Sequence, residues 1–180
     1  DGIEPLHVKN MDHELANPLE YYQATVTALA RLAAAHQSGR LSPDVERLFP
    51  FAPEAAAAEL PLPWHAGEVR EKAERIARFI AEAPQLFPAN VAAPAFAARF
   101  IEDAVRFHRH DADIRRFLFA DPRMVALAHW NTHIDNAWFW RDEAGVLQAG
   151  LLDWGMVRQM NLGMALWGGL SGGNAAMWRR

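Results

Sequence analysis

The chain contains no cysteine and, in 180 residues, only two lysines and two tyrosines. Without cysteine there is no disulfide framework and no thiolate chemistry, and zinc could be held only through nitrogen and oxygen ligands. No apolar run approaches the roughly 20 residues that a membrane helix requires. The opening DGIEPLHVKN lacks the charged and apolar regions of a signal peptide. It also lacks an initiator methionine, the expectation for a processed chain or a fragment. Positive charge is scarce as well. The net charge is −4 and the basic runs, Arg115-Arg116 and Arg179-Arg180, are short, so nothing supports non-specific nucleic-acid binding. The remaining composition, 51% hydrophobic and 22% charged, is that of a globular chain with a real core. A cytoplasmic protein, bound neither to membrane nor to nucleic acid, is expected.

Helical signals dominate the first two thirds. Asn17 can cap a helix with Pro18 in its first position and Glu20 at N3 of a capping box. Leu19, Tyr22, Val26, Leu29, Leu32 and Ala33 follow at helical spacing, and Gly39 is a natural stop after Ser38. Residues 40–65 carry five prolines and predict irregular segments and turns. A second helix is predicted over 67–83, with Val69, Ala73, Ile76, Ala77 and Ile80 on one face. A third opens at Pro94, and a short fourth over 112–119 must stop before Asp121-Pro122. His108, His110 and Asp111 suggest a metal group, but i and i+2 diverge on a helix, so a polar helix end is the better reading. His7, His13 and His65 fall in stretches that predict little structure.

The pattern then changes. Val125–His129 is β-prone. Residues 137–140 and 146–152 are aromatic and aliphatic runs separated by RDEAG, with Gly145 closing a hairpin loop. From Gln159 onward the chain is rich in methionine, tryptophan and glycine, predicting a helix with close backbone packing. Gly168-Gly169 and Gly172-Gly173 follow no predicted strand and are not a nucleotide loop. The expected fold class is mainly α, of the α+β type, with one small hairpin.

Between the β-prone runs lies HWNTHIDNAWFW, and after the hairpin comes LLDWG. Asn136 precedes one strand and Asp153 follows its partner, so a tight hairpin brings an amide oxygen and a carboxylate to one place. Such hard ligands suit magnesium shared with phosphates. The bland alternative is a strand-capping asparagine and a turn aspartate. His133 could equally be a loop histidine bonded to backbone, and Trp138, Trp140, Trp154 and Trp167 are more ordinary as packing residues than as ligand platforms.

This segment resembles the catalytic segment of the aminoglycoside phosphotransferase and choline kinase-like families, relatives of the protein kinases, whose loop reads about H-G-D-x-H-x-x-N before a hairpin and an h-D-W or h-D-F motif. His129, His133 and Asn136 match the loop, and Leu151-Leu152-Asp153-Trp154 matches the second motif. LARLAAAH, residues 29–36, is similar to the L-A-x-L-H helix end of that family. The resemblance implies a kinase-like C-terminal lobe over 1–180. It would comprise a hinge-like entry at 1–16, helices over 17–120, the catalytic loop and hairpin at 121–158, and a helical tail at 159–180. It implies an ATP- and magnesium-dependent phosphotransferase acting on a small-molecule acceptor. Asn136 and Asp153 would hold the magnesium and its nucleotide, His133 would stand near the transferred group, and His129 would shape the loop.

Two departures stand out. Asn131 occupies the position of the catalytic aspartate, with Trp130 in place of a glycine, and an amide cannot take up the acceptor's proton as a carboxylate can. Asp135 is the nearby candidate for a replacement base. No glycine-rich loop and no strand lysine appear either: Lys9 stands at the hinge-like entry and Lys72 on an amphipathic helix. The nucleotide-clamping lobe is therefore expected to be missing from these 180 residues. Two further readings remain open. One is a non-catalytic kinase-like binding protein. The other is a metal-dependent hydrolase using His129, His133, Asp135 and Asp153 around zinc or manganese.

Overall fold

The computed structural model describes residues 6–7, 15, 17–58, 61–173 and 177. In chain order the elements are β1 (Leu6–His7), α1 (Pro18–Gln37), α2 (Val45–Leu48), α3 (Pro53–Ala58), α4 (Ala66–Glu82), α5 (Ala89–Ala92), α6 (Pro94–Arg109) and α7 (Asp111–Ala120). Then come β2 (Val125–His129), β3 (Ala137–Arg141), β4 (Leu147–Leu151), β5 (Val157–Asn161) and α8 (Leu162–Leu170). The chain is mostly helical, with two small antiparallel sheets ordered β1-β3-β4 and β2-β5. It divides into two compact units, residues 1–52 with 121–180, and residues 53–120.

The first unit is organised by α1. Gly39 ends the helix in the left-handed region, at φ 67°. From there its N–H reaches His36 O (2.9 Å) while Arg40 N–H reaches Ala35 O (2.9 Å), the paired bonds of a Schellman stop. The expected capping box does not form. Asn17 makes no side-chain cap bond, and the Glu20 carboxylate instead receives Arg141 of β3 at 2.7 and 3.0 Å. That guanidinium holds the Glu20 carboxyl below its ordinary range. A tertiary ion pair has outcompeted a local cap.

The buried face of α1 covers both sheets. Tyr22 and Ala24 pack with Ile134, Ala137, Phe139 and Leu147, while Leu29 packs with Ala128, Met160 and Ala165. Tyr21 meets the Phe139 ring edge-on at 5.0 Å. Phe139 is wholly buried, worth about 1.5–3 kcal/mol by transfer alone.

The hairpin β3–β4 turns through Asp142–Val146 as its loop residues predict. Gly145 sits at φ 76°, and the Asp142 carboxylate accepts from Ala144 N, Val146 N and Gln148 Nε2. Those donors, the Val146 amide foremost, lower its pKa. A second, separate sheet is formed by β2 and β5. β5 pairs along all of β2, where the sequence predicts the start of a helical tail; the helix begins only at Leu162, capped by the Asn161 side chain to Gly163 N (2.8 Å). β1 likewise places His7 opposite Trp138, where no element is expected. His13 and Lys9, the residue expected at the entry, lie outside the described residues.

The second unit is helical. α4 packs on α6 and α3 on α7. α4 opens with a reciprocal cap that the sequence does not announce: His65 Nδ1 accepts from Glu68 N, and Glu68 Oε2 accepts from His65 N. Ala73, Ala77 and Ile80 are buried as expected, but Ile76 is exposed. The proline-rich segment is more regular than predicted, because Pro53 and the alanines at 55–58 form α3. His108, expected at a polar helix end, reaches Trp64 O through Nε2 at 2.7 Å. His110 caps the C-terminus of α6.

Candidate functional site

Two segments carry the chain from one sheet to the other. Residues 130–136 run from β2 to β3, and residues 152–156 run back from β4 to β5. Because β2 pairs with β5 and β3 with β4, these crossovers lie side by side. His129 is opposite Val157 at one end and Ala137 opposite Leu151 at the other. The polar residues singled out in the sequence sit on these crossovers, where the backbone has left both ladders and its N–H and C=O groups need other partners.

Leu152 is gripped from both sides. Its N–H donates to Asn136 O at 2.8 Å, and its carbonyl faces His129 Nε2 at 2.7 Å. His129 is fully buried. Its Nδ1 lies 3.2 Å from the amide of Asn131, which can only donate. The ring proton therefore resides on Nε2 and is given to Leu152 O. One imidazole thus ties the start of the first crossover to the second, in the structural role expected of it, and the Trp154 ring rests against it at 5.1 Å.

Directly after this clamp stands Asp153, the one described non-glycine residue with positive φ (56°, ψ 59°). The left-handed step costs on the order of 1 kcal/mol, less for an aspartate than for most residues. It turns the chain out of β4 into the 3-10 turn Trp154–Met156, and Trp154 Nε1 closes the bend on Leu151 O at 3.0 Å. The Asp153 side chain is exposed.

Asn136 ends the 3-10 turn Ile134–Asn136. Its Nδ2 donates to Asn131 O at 2.8 Å. Asn131 is therefore a joint of the loop: its N–H donates to His129 Nδ1 and its carbonyl accepts from Asn136. Asp135 lies within the 3-10 turn and is half-buried. His133 Nε2 is 3.4 Å from Ser171 Oγ.

The loop also rests on α8, a partner that the sequence shows only as a glycine-rich tail. A Cβ on Gly168 would collide with Trp130 O and Cδ1, and one on Gly169 would come within 2.6 Å of Thr132 Oγ1. Thr132 is buried, and its hydroxyl has no hydrogen-bond partner among the described residues. Trp130 stacks on Trp167, with centroids 6.2 Å apart and planes at 24°. The expected close backbone packing of the tail is found here. The signal for it was the glycine pair, but nothing in the pair names residues 130–132 as its partner.

Asn136 and Asp153 thus come to one end of the hairpin. Among the described residues, no group of three or more His, Asp or Glu side chains could hold a metal. The set His129, His133, Asp135 and Asp153 is not assembled, and both nitrogens of His129 are already engaged. No helix of the described residues is long and apolar enough to cross a membrane. No family model, no curated protein and no solved structure matches the chain.

Proposed function

We propose that this chain is the helical lobe of a kinase-like small-molecule phosphotransferase, using ATP and magnesium to phosphorylate a hydroxyl. The observation that carries the reading is the double tie on Leu152, through Asn136 O and His129 Nε2, which fixes an amide oxygen donor and an exposed carboxylate at one hairpin end. The donor chemistry fits a hard divalent cation: Asn136 Oδ1 and Asp153 would hold it, and the cation would supply charge neutralisation at the phosphates. His129 keeps the two crossovers in register. His133 would meet the acceptor. Asn131 can orient a hydroxyl but cannot take its proton, so Asp135 is the carboxylate available as base.

The test is acceptor-dependent formation of ADP by the full-length gene product with magnesium and ATP, across a panel of alcohols and amines. The expected result is turnover that falls by on the order of 100-fold or more in Asp153→Asn. Neither binding nor turnover of ATP with any acceptor would overturn the reading.

The amide at Asn131 favours a second reading, a kinase-like protein that binds a ligand or partner without transferring phosphate. Under that reading wild type is inactive, and Asn131→Asp creates ATP turnover. Robust wild-type turnover excludes it.

A further inference from the structure

Trp167 lies on α8, and Ser171, its C-terminal cap in helical conformation, stands four residues on, so the two share one face. Each meets a residue of the first crossover: Trp167 stacks on Trp130, and Ser171 Oγ is 3.4 Å from His133 Nε2. Between these contacts the loop is seated directly on the α8 backbone at Gly168 and Gly169, which fixes the spacing of the two pairs. The outcome is a strip with an indole stack at one end and an imidazole–hydroxyl pair at the other. Trp167 leaves 61% of its surface to solvent, an unusual amount for the largest side chain.

We infer that this strip is the acceptor subsite, and that it takes a neutral alcohol carried on a flat aromatic frame. An exposed indole face gains most from a planar apolar partner laid against it. Ser171 Oγ donates to Gly168 O at 3.2 Å and meets His133, which leaves one oxygen lone pair to take the proton of a single hydroxyl. An apolar platform with a few convergent polar groups is also the usual make-up of a small-molecule site. An ammonium group could also sit over an indole. However, among the described residues the side chains that meet along the strip are Trp130 with Trp167 and His133 with Ser171, none of them a carboxylate, and the neighbouring Asp135 is assigned to the hydroxyl's proton. The inference rests on the phosphotransferase reading only for what is done to the bound alcohol.

The experiment follows the indole N–H resonances of Trp130 and Trp167 in the full chain. The titrants are 4-methoxybenzyl alcohol, its methyl ether, choline and glycerol. The aromatic alcohol is expected to shift both resonances, while choline and glycerol at equal concentration leave them in place. Trp167→Ala should weaken the alcohol by on the order of tenfold and Trp167→Phe by much less. Ser171→Ala should weaken the alcohol but not the ether. Circular dichroism checks the fold of each variant, and if Trp167→Ala alters it, Trp167→Leu takes its place. The inference is overturned if no probe moves these resonances, if choline or glycerol moves them as strongly, or if a folded Trp167→Ala or Trp167→Leu binds unchanged. Aromatic-alcohol binding without phosphoryl transfer would sink the phosphotransferase reading and leave the subsite standing. Transfer to acceptors that never disturb Trp167 would do the reverse.

Discussion

The unit formed by residues 1–52 and 121–180 buries Ala126, Ala128, His129, Ala137, Phe139 and Ala165 completely, whereas α6 in the unit 53–120 has no buried residue along its whole length. Phe79, Phe107 and Phe117 of that second unit are more than half exposed, and its α4–α6 ion pair, Arg70 with Glu102, lies in solvent. Surface pairs of that kind contribute little. The contrast explains where a site can be built. Residues such as Asp153 in a left-handed conformation need surroundings that over-determine them, and the sheet-containing unit supplies hydrogen bonds on both sides of a crossover.

The contrast is most easily broken at Phe139. Phe139→Ala should cost about 3–5 kcal/mol in urea unfolding, while Phe107→Ala in the helical unit should stay within about 0.5 kcal/mol. Comparable losses at the two positions would erase the distinction. Next in size is a pair of histidines. His129→Phe keeps an aromatic ring, somewhat larger, but strands Leu152 O and Asn131 N, at about 2–4 kcal/mol. His65→Ala removes only a surface cap, at about 1 kcal/mol. Amide spectra of the His129 variant should shift at residues 131 and 152–154 and leave α4 unmoved.

Gly168→Ala sharpens the claim that α8 seats the loop. Its Cβ meets backbone and an indole, so about 1–3 kcal/mol is expected, with the Trp130 signals displaced. The smallest effect belongs to the Glu20–Arg141 pair. Arg141 lowers the Glu20 pKa, so its contribution is complete above the unfolded carboxylate value, about 4.3. It is lost as pH falls from there through the lower folded value. In Arg141→Ala this part of the acid limb, followed between about pH 5 and pH 2, should flatten. An unchanged limb would show that the pair contributes nothing.

Much of this architecture was legible in local chemistry. Pro18 and Gly39 bracket α1, RDEAG closes the hairpin, and the offset of Asn136 and Asp153 from that hairpin already placed them together. What was not legible depends on partners distant in the chain. VRQMN has no strand signature of its own, and it becomes β5 by pairing with β2, an element far earlier in the chain. Glu20 leaves its cap for Arg141, 121 residues away. His65 is an unusual N-cap, so its box with Glu68 went unannounced. The α8 contacts were invisible because a glycine pair records that something approaches, not what approaches.

The most direct test of the Asn136–Asp153 site is paramagnetic broadening by manganese in amide spectra of the full chain, recorded with and without ADP. The account predicts broadening centred on Asn136 and Asp153 and abolished by Asp153→Asn. Broadening centred elsewhere, or unaffected by that substitution, would contradict it.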